Sequence, residues 1–167
     1  MDAPLVSALQ QEIIASAKAG ESIFFTGAAG TGKSHVLRHL VKVLPPDTTA
    51  VTASTGCAAA PLLGQTLHAF AGFGIGKKSA AECVKFIQAR KSLLRNWRTV
   101  RVLVIDEVSM VDAQFFDLLE EVARKVRNCE KPFGGVQLIL TGDFLQLPPV
   151  SPKDGPPAKE NGLSILF

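Results

Sequence analysis

The stretch Gly27-Ala28-Ala29-Gly30-Thr31-Gly32-Lys33-Ser34 decides the fold of this 167-residue chain. It fits the pattern G-x-x-x-x-G-K-[ST], in which glycines let the backbone curl its N–H groups around phosphate oxygens. The run before it, Ser22-Ile23-Phe24-Phe25-Thr26, is typical of a buried strand, and a helix is expected from about Lys33 to Leu44, before Pro45. A strand, a glycine loop and a helix in this order predict a phosphate-binding P-loop.

The residue types in this loop indicate which phosphate ligand it takes. Lys33 is expected to reach the β- and γ-phosphates, and Ser34 to ligate magnesium, while the helix that follows adds its positive N-terminus. The predicted cofactors are therefore ATP and Mg²⁺. The remaining predicted nucleotide-binding residues are Gly27, Ala28, Ala29, Gly30, Thr31 and Gly32.

A second acidic element follows the strongest strand pattern in the chain, Val100 to Ile105. Asp106, at the end of that buried strand, suits a magnesium ion held directly or through water. Glu107 is suited to orient and deprotonate an attacking water. The pair predicts hydrolysis of the bound nucleotide.

Strand and helix patterns alternate along the whole chain. Further strands are predicted over Thr48–Thr52 and Val136–Leu140, and further helices over about residues 4–18, Ala80–Trp97 and through Phe115–Val126. Ser54–Leu63 is expected to begin a short helix, and Leu67–Gly76 to be a loop with one helical turn. This alternation predicts an α/β fold with a mainly parallel sheet, whose chemistry gathers at the carboxyl ends of the strands.

Three less specific segments each allow a functional and a structural interpretation. Gln146 suits contact with the γ-phosphate or the attacking water, or is a surface glutamine before Pro148. Ser54 and Thr55 suit a phosphodiester backbone, or Thr55 is an ordinary helix cap.

The third such segment surrounds His68 and Phe70. A nucleic-acid base stacks readily on an exposed phenylalanine, and a histidine bonds phosphate or base. A lone phenylalanine beside Leu67 is more often part of a core. The residues themselves leave both interpretations open.

Composition excludes several classes of protein. No stretch of 18 apolar residues is present, so no membrane partner is expected, and the N-terminus resembles neither a signal nor a transit peptide. Three widely spaced cysteines favour neither disulfides nor zinc and fit a reducing compartment. The net charge of +3 conceals a basic block that suits either a phosphate backbone or a solvated helix face: Lys77, Lys78, Lys85, Arg90, Lys91, Arg95, Arg98 and Arg101.

Taken together, these segments resemble the petite-integration-frequency (Pif-type) branch of the superfamily-one DNA helicases. The resemblance runs from about Val6 to Val150. Its most specific strings are Ile105-Asp106-Glu107-Val108-Ser109-Met110-Val111 and Gly142-Asp143-Phe144-Leu145-Gln146-Leu147-Pro148-Pro149-Val150.

The resemblance implies a RecA-like, three-layer α/β/α sandwich. It implies that Gln10 reads the adenine edge, with Gln11 as the near alternative, and that Gln146 senses the γ-phosphate. It also implies that four residues line the path of single-stranded DNA, namely Ser54, Thr55, His68 and Phe70. Proteins of this kind translocate 5′ to 3′ on DNA with ATP and unwind duplexes, junctions and G-quadruplexes. They act in nuclei, mitochondria and bacteria.

Helicases of this kind place ATP between two RecA-like domains. We expect residues 1–150 to form the first motor domain and 151–167 to begin a linker, the second domain and its arginine finger lying outside this sequence. The chain by itself is then expected to be a monomer that binds ATP with little turnover. Two alternatives remain open, a P-loop ATPase subunit of another DNA-processing machine and a non-catalytic nucleotide- or DNA-binding module.

Overall fold

The structure, a computed structural model, describes residues 7–27, 30–74 and 78–143. Helices and strands alternate within these ranges, as the sequence predicts. The helices are α1 (Ala8–Ala19), α2 (Lys33–Val43), α3 (Gly56–Ala59), α4 (Leu67–Ala71), α5 (Ala80–Gln88), α6 (Lys91–Thr99) and α7 (Ala113–Arg127). The strands are β1 (Ile23–Thr26), β2 (Thr49–Ala53), β3 (Gln65–Thr66), β4 (Val102–Asp106) and β5 (Gln137–Gly142).

The strands form one sheet in the order β1-β5-β4-β2-β3, and every neighbouring pair is parallel. Ile139 of β5 lies between Ile23 of β1 and Val104 of β4. Parallel strands end on the same side of a sheet. The strand ends Thr26, Ala53, Asp106 and Gly142, with the loops that follow them, are called the carboxyl edge below.

Two separate hydrophobic cores lie on the two faces of this sheet. Val102 and Val104 of β4 pack with α1 and α2, whereas Leu103 and Ile105 pack with the cluster that includes α4 to α7. Successive strand side chains point to opposite faces, so an unbroken apolar strand supplies both cores. The predicted three-layer α/β/α sandwich with a mainly parallel sheet is confirmed.

The ends of α1 follow from two local signals. Ser7 caps its N-terminus by accepting a hydrogen bond from the Gln10 N–H, and Gly20, with φ of +88°, ends it in the left-handed conformation. The predicted start near residue 4 lies outside the described residues. Among the residues that the structure describes, no helix combines the length and the apolar character needed to cross a membrane.

The single helix predicted over Ala80–Trp97 is wrong, because the structure has two helices there. The buried stripe of α5 ends at Ile87, and helical spacing would carry it on to the charged Lys91. Arg90 is extended instead, with φ of −122° and ψ of 101°, and the new helix buries Trp97. The break therefore keeps a charge out of the core. The two-residue edge strand β3 has no counterpart among the predicted strands.

Candidate active site

Glycines shape the loop that follows β1. Gly30 and Gly32 have φ of +84° and +91°, a region that side chains disfavour. A Cβ atom on Gly27 would lie 2.7 Å from Thr31 Oγ1, so a side chain there would push Thr31 aside. Ala28 and Ala29 lie outside the described residues. The glycine spacing of the motif is thus a conformational requirement of the loop.

The first turn of α2 faces this loop without a side-chain cap. Gly32 is its N-cap residue and offers no side chain, and the helix begins at Lys33 and the exposed Ser34. An uncapped helix N-terminus carries partial positive charge and backbone N–H donors, which suits an anion. Lys33 Nζ donates a hydrogen bond to the Gly27 carbonyl, so the lysine side chain spans the loop.

Asp106 ends β4 in a partly buried position. Its Oδ1 accepts a hydrogen bond of 2.9 Å from the Glu107 N–H. Burial raises the pKa of Asp106 to about 6, and the negative charge of Glu107 adds to this rise. The hydrogen bond from the Glu107 N–H and the positive charge of the nearby Lys33 oppose it. A carboxylate that is costly to ionise gains most from a neighbouring cation.

Glu107 follows with φ of 54° and ψ of 45°, the left-handed region that is uncommon for residues other than glycine. Such backbone strain costs on the order of 1–3 kcal/mol and is concentrated at functional sites. The Met110 N–H donates to the Glu107 carbonyl at 3.0 Å and closes a tight turn. The turn therefore holds two adjacent acids at the end of a buried strand.

β5 completes the carboxyl edge between β1 and β4. Thr26 Oγ1 donates to the Gly142 carbonyl at 2.9 Å, which ties β1 to β5. A Cβ on Gly142 would lie 3.2 Å from the Ser109 nitrogen, so glycine lets β5 pass the turn after Glu107. Asp143 is buried at 4% exposure, and Gln146 lies outside the described residues.

Two buried hydroxyl groups at this edge lack a hydrogen-bond partner within the described part of the chain. They belong to Thr141, one residue before the end of β5, and to Ser54, just after β2. Neither side chain stood out in the sequence as a feature of the nucleotide site. Orphaned oxygens beside a desolvated carboxylate fit a hydrated magnesium ion, which takes oxygen ligands and keeps several waters.

No cluster of three metal-binding side chains exists among the described histidines, cysteines, aspartates and glutamates. Magnesium in nucleotide sites is bound by one or two protein groups plus phosphate oxygens and water. Asp106 and Ser34 are the candidate protein ligands. The arrangement fits a cation that arrives with its nucleotide.

Gln10 reaches the P-loop from α1. Its Oε1 accepts from the Ser7 N–H at 3.0 Å, and its Nε2 would lie 2.9 Å from a Cβ on Gly32. Gln11 lines a groove with Lys18 and His39 instead. The S-x-x-Q spacing of Ser7 and Gln10 is the sequence signal for this reciprocal cap. Contact with Gly32 favours Gln10 over Gln11, and its role in reading adenine stays a prediction.

Comparison with known proteins places this geometry in a family. A family model described as PIF1-like helicase matches residues 6–163. This chain belongs to the PIF1-like helicases. The ATP-dependent DNA helicase PIF1 of Homo sapiens is 53% identical over 154 residues, which cover 92% of this chain and 24% of that protein. That of Rattus norvegicus is 54% identical over 148 residues, covering 89% and 23% respectively.

Solved PIF1-like helicases share the fold. Pif1 helicase from Candida albicans superposes with a TM-score of 0.86 at 46% identity, over 89% of this chain and 35% of that one. Pif1 helicase from Bacteroides in complex with ADP-AlF3 and ssDNA gives 0.75 at 31% identity, over 90% and 35%. The sandwich is therefore RecA-like. This chain spans about a quarter of the length of the curated relatives.

The residues that the resemblance assigned to DNA differ in their environments. The Ser54 N–H donates to the Asp106 carbonyl at 3.1 Å, and its hydroxyl is buried. Thr55 caps α3 by accepting from the Ala58 N–H at 3.2 Å. Both lie at the carboxyl edge, and a backbone hydrogen bond joins their segment to Asp106. Their contact with DNA stays a prediction.

The prediction that a DNA base stacks on Phe70 is contradicted by the burial of this ring. Its ring is 5% exposed, belongs to the core under α4 to α7 and tilts against Trp97 at 5.1 Å between ring centroids. A base cannot stack on a ring enclosed in this way. His68 is half-buried, stacked on Phe115 at 4.1 Å, and burial lowers its pKa. It is therefore a neutral ring near pH 7, and its contact with DNA stays a prediction.

Two members of the basic block pack on one aromatic ring. The Arg90 guanidinium lies 3.4 Å from the Phe86 ring centroid, and Lys78 Nζ lies 4.8 Å from it. Both residues are exposed, so these cation–π contacts lie at the surface. Lys77 lies outside the described residues. The choice between a phosphate-binding surface and a solvated face stays open.

Proposed function

We propose that this chain is the first RecA-like motor domain of an ATP-dependent 5′ to 3′ DNA helicase, and that it binds Mg-ATP at the carboxyl edge. One observation carries the proposal. The glycine-shaped, uncapped N-terminus of α2 and the desolvated Asp106 lie on the same edge of the sheet. The names of its relatives, which are ATP-dependent DNA helicases, support the same conclusion.

Each residue of the site has a distinct task in this proposal. Lys33 gives up the Gly27 carbonyl for the β- and γ-phosphates, and the first turn of α2 donates its N–H groups to phosphate oxygens. Ser34 and Asp106 hold magnesium, which neutralises developing phosphate charge. Glu107 orients and deprotonates the attacking water, and Gln146 senses the γ-phosphate.

Single-stranded DNA and DNA junctions are the proposed nucleic-acid partners. A Bacteroides Pif1 structure holds ADP-AlF3 together with ssDNA, so both ligands bind one relative at once. In this chain the Ser54 N–H to Asp106 carbonyl bond joins the predicted DNA segment to the magnesium acid. A shift of Ser54 and Thr55 on DNA would thereby act directly on the end of β4.

Turnover requires a further cation at the γ-phosphate. In other P-loop enzymes an arginine supplied in trans contributes about 10³–10⁵ in rate. We propose that a second RecA-like domain of the full-length protein supplies this arginine. The chain by itself then binds Mg-ATP as a monomer, hardly hydrolyses it and does not unwind DNA.

The test compares two variants of the site. Lys33→Ala removes the phosphate cation, and we expect at least about tenfold weaker Mg-ATP binding, since a charge-assisted hydrogen bond contributes about 1.5–3 kcal/mol. Glu107→Gln keeps the shape and is expected to bind normally. In full-length protein both variants should abolish DNA-stimulated hydrolysis.

Calorimetry measures binding, and a steady-state assay with and without single-stranded DNA measures turnover. Unchanged nucleotide affinity in Lys33→Ala would refute the site. Robust DNA-stimulated turnover by a monomer of this chain would refute the need for a second domain. Turnover that rises steeply with protein concentration would indicate that a second copy supplies the arginine.

A further inference from the structure

The hydroxyl of Thr141 is buried without a partner. The side chain is 0% exposed, and no described residue hydrogen-bonds Oγ1. Thr52, on β2, is equally buried, yet its Oγ1 donates to the Val104 carbonyl at 2.6 Å. These two threonines of one sheet therefore differ, because among the described residues only Thr52 finds a hydrogen-bond partner.

The strand register places Thr141 beside Asp106. Ile105 of β4 and Leu140 of β5 are the last pair of this parallel ladder, and Asp106 and Thr141 are the residues that follow them on the two strands. Neighbouring strands lie about 4.8 Å apart, so these two residues are neighbours across the sheet.

Both side chains face the layer that contains the P-loop helix. Val104 and Ile139, two residues earlier on their strands, pack with α1 and α2. Side chains alternate along a strand, so Asp106 and Thr141 point to that same face. The orphaned hydroxyl thus lies between the magnesium acid and β1, from which the P-loop starts.

A buried hydroxyl without a partner opposes folding, and valine has the same shape without that cost. A buried polar group without a hydrogen bond is expected at a functional site, where a ligand can supply the missing partner. A hydroxyl accepts one hydrogen bond while it donates another. A magnesium-bound water can therefore donate one hydrogen to Thr141 Oγ1 and the other to the Asp106 carboxylate.

We propose that Thr141 is a positioning residue of the magnesium–nucleotide site, whose hydroxyl holds a water of the cation's hydration shell against Asp106. The proposal rests on the Mg-ATP site proposed above and adds a residue to it. Thr141 contacts neither the phosphates nor the attacking water. Its effect is on the affinity for the divalent cation.

The experiment separates this role from packing. Nucleotide binding to the chain is titrated with Mg²⁺ by use of a fluorescent ADP analogue, and unfolding by urea is followed without ligand. Thr141→Val should unfold at a higher urea concentration than the wild type. It should need about tenfold more Mg²⁺ for the same nucleotide binding, which is the lower end of the loss in metal affinity when an outer-shell partner is removed. Binding in the presence of a chelator should not change.

Thr141→Ser should restore the Mg²⁺ requirement of the wild type, and Thr52→Val is the matched control that loses stability. Thr141→Ala repeats the Mg²⁺ titration without a branched side chain. A wild-type Mg²⁺ requirement in both Thr141→Val and Thr141→Ala overturns the role of Thr141 while the nucleotide site stands. If Mg²⁺ does not change the nucleotide affinity of the wild type, both proposals are overturned.

Discussion

The carboxyl edge and the C-terminal end of α7 differ in whether their polar groups find hydrogen-bond partners within the chain. At the carboxyl edge, Thr141 and Ser54 keep buried hydroxyls without described partners, and Glu107 adopts a strained backbone. At the end of α7, Arg127 donates to the carbonyls of Trp97, Arg98, Val100 and Gly134. We call the region of Arg127 and its four acceptors the Arg127 brace.

Neighbouring charges around the brace are also satisfied within the chain. Arg124 Nε donates to Glu120 Oε1 at 2.8 Å, and the same oxygen accepts from the Phe133 N–H at 3.3 Å. The brace joins the end of α7 to the end of α6, to Val100 just before β4 and to Gly134 before β5. The polar groups around Arg127 are thus satisfied within the chain, whereas two buried hydroxyls at the carboxyl edge have no described partner, which is typical of a functional site.

Loss of the brace is expected to have the largest effect on stability. Arg127→Ala leaves the Trp97 and Val100 carbonyls without their charged donor, and we expect it to lower the free energy of unfolding by about 2–4 kcal/mol. Urea unfolding followed by the fluorescence of Trp97, the single tryptophan, measures it.

The control for the brace is Lys125→Ala, which removes only an exposed ion pair with Glu121. It should change the free energy of unfolding by no more than about 0.5 kcal/mol. Equal losses in the two variants would show that the brace is no stronger than a surface pair.

Removal of the Asp106 charge should stabilise the unliganded protein. The pKa of Asp106 is raised to about 6, so the folded state holds the proton more tightly than the unfolded chain does. The cost of ionisation is absent below about pH 4 and complete above about pH 6. Asp106→Asn should therefore gain about 1–2 kcal/mol at about pH 7.5, with allowance for solvent screening, and nothing at about pH 4.

Paired unfolding curves of wild type and Asp106→Asn at the two pH values check this, because other carboxyl groups cancel in the difference. A gain that is the same at both pH values would assign the effect to packing. The variant should also lose the Mg²⁺ dependence of nucleotide binding. Stability and ligand affinity would then move in opposite directions at the carboxyl edge.

Ser7, the N-cap of α1, offers a finer test of the nucleotide site through Gln10, because its φ of −63° suits proline. Ser7→Ala removes the hydroxyl that caps α1 and should lower the free energy of unfolding by about 1 kcal/mol. Ser7→Pro also removes the N–H that orients Gln10 Oε1. Only the proline variant should weaken the preference for ATP over pyrimidine triphosphates, as Gln10→Ala does.

Competition of ATP with CTP and UTP for the site measures that preference. If the proline and alanine variants keep the same preference, the N–H of Ser7 does not orient Gln10. A preference that survives in Gln10→Ala would exclude Gln10 from base recognition and favour Gln11 in that role.

The smallest expected effect is at Leu63, which lies in neither region. This residue is 97% exposed and has φ of 54°, at the turn where its N–H donates to the Ala60 carbonyl. Leu63→Gly relieves left-handed strain at some cost in chain entropy and should gain about 0.5 kcal/mol. Leu63→Ala keeps the backbone strain. An equal increase in the free energy of unfolding of this variant would show that the effect comes from loss of the exposed side chain.

The sequence by itself determined the parts of the molecule that depend on near neighbours in the chain. Gly30 and Gly32 predict the loop because only glycine adopts their backbone conformation freely. The apolar run before Asp106 predicts a strand buried on both faces, and alternation of such strands with helices predicts the parallel sandwich. The confirmed fold follows from these local requirements.

Only the tertiary structure decided which polar and aromatic groups find partners. Phe70 lies in the core because Trp97, on another helix, packs against it. Thr52 and Thr141 have the same chemistry, yet only Thr52 finds an acceptor on the neighbouring strand. The raised pKa of Asp106 likewise follows from burial by distant segments. Burial and hydrogen-bond partners depend on residues far apart in the chain, and local patterns carry no record of them.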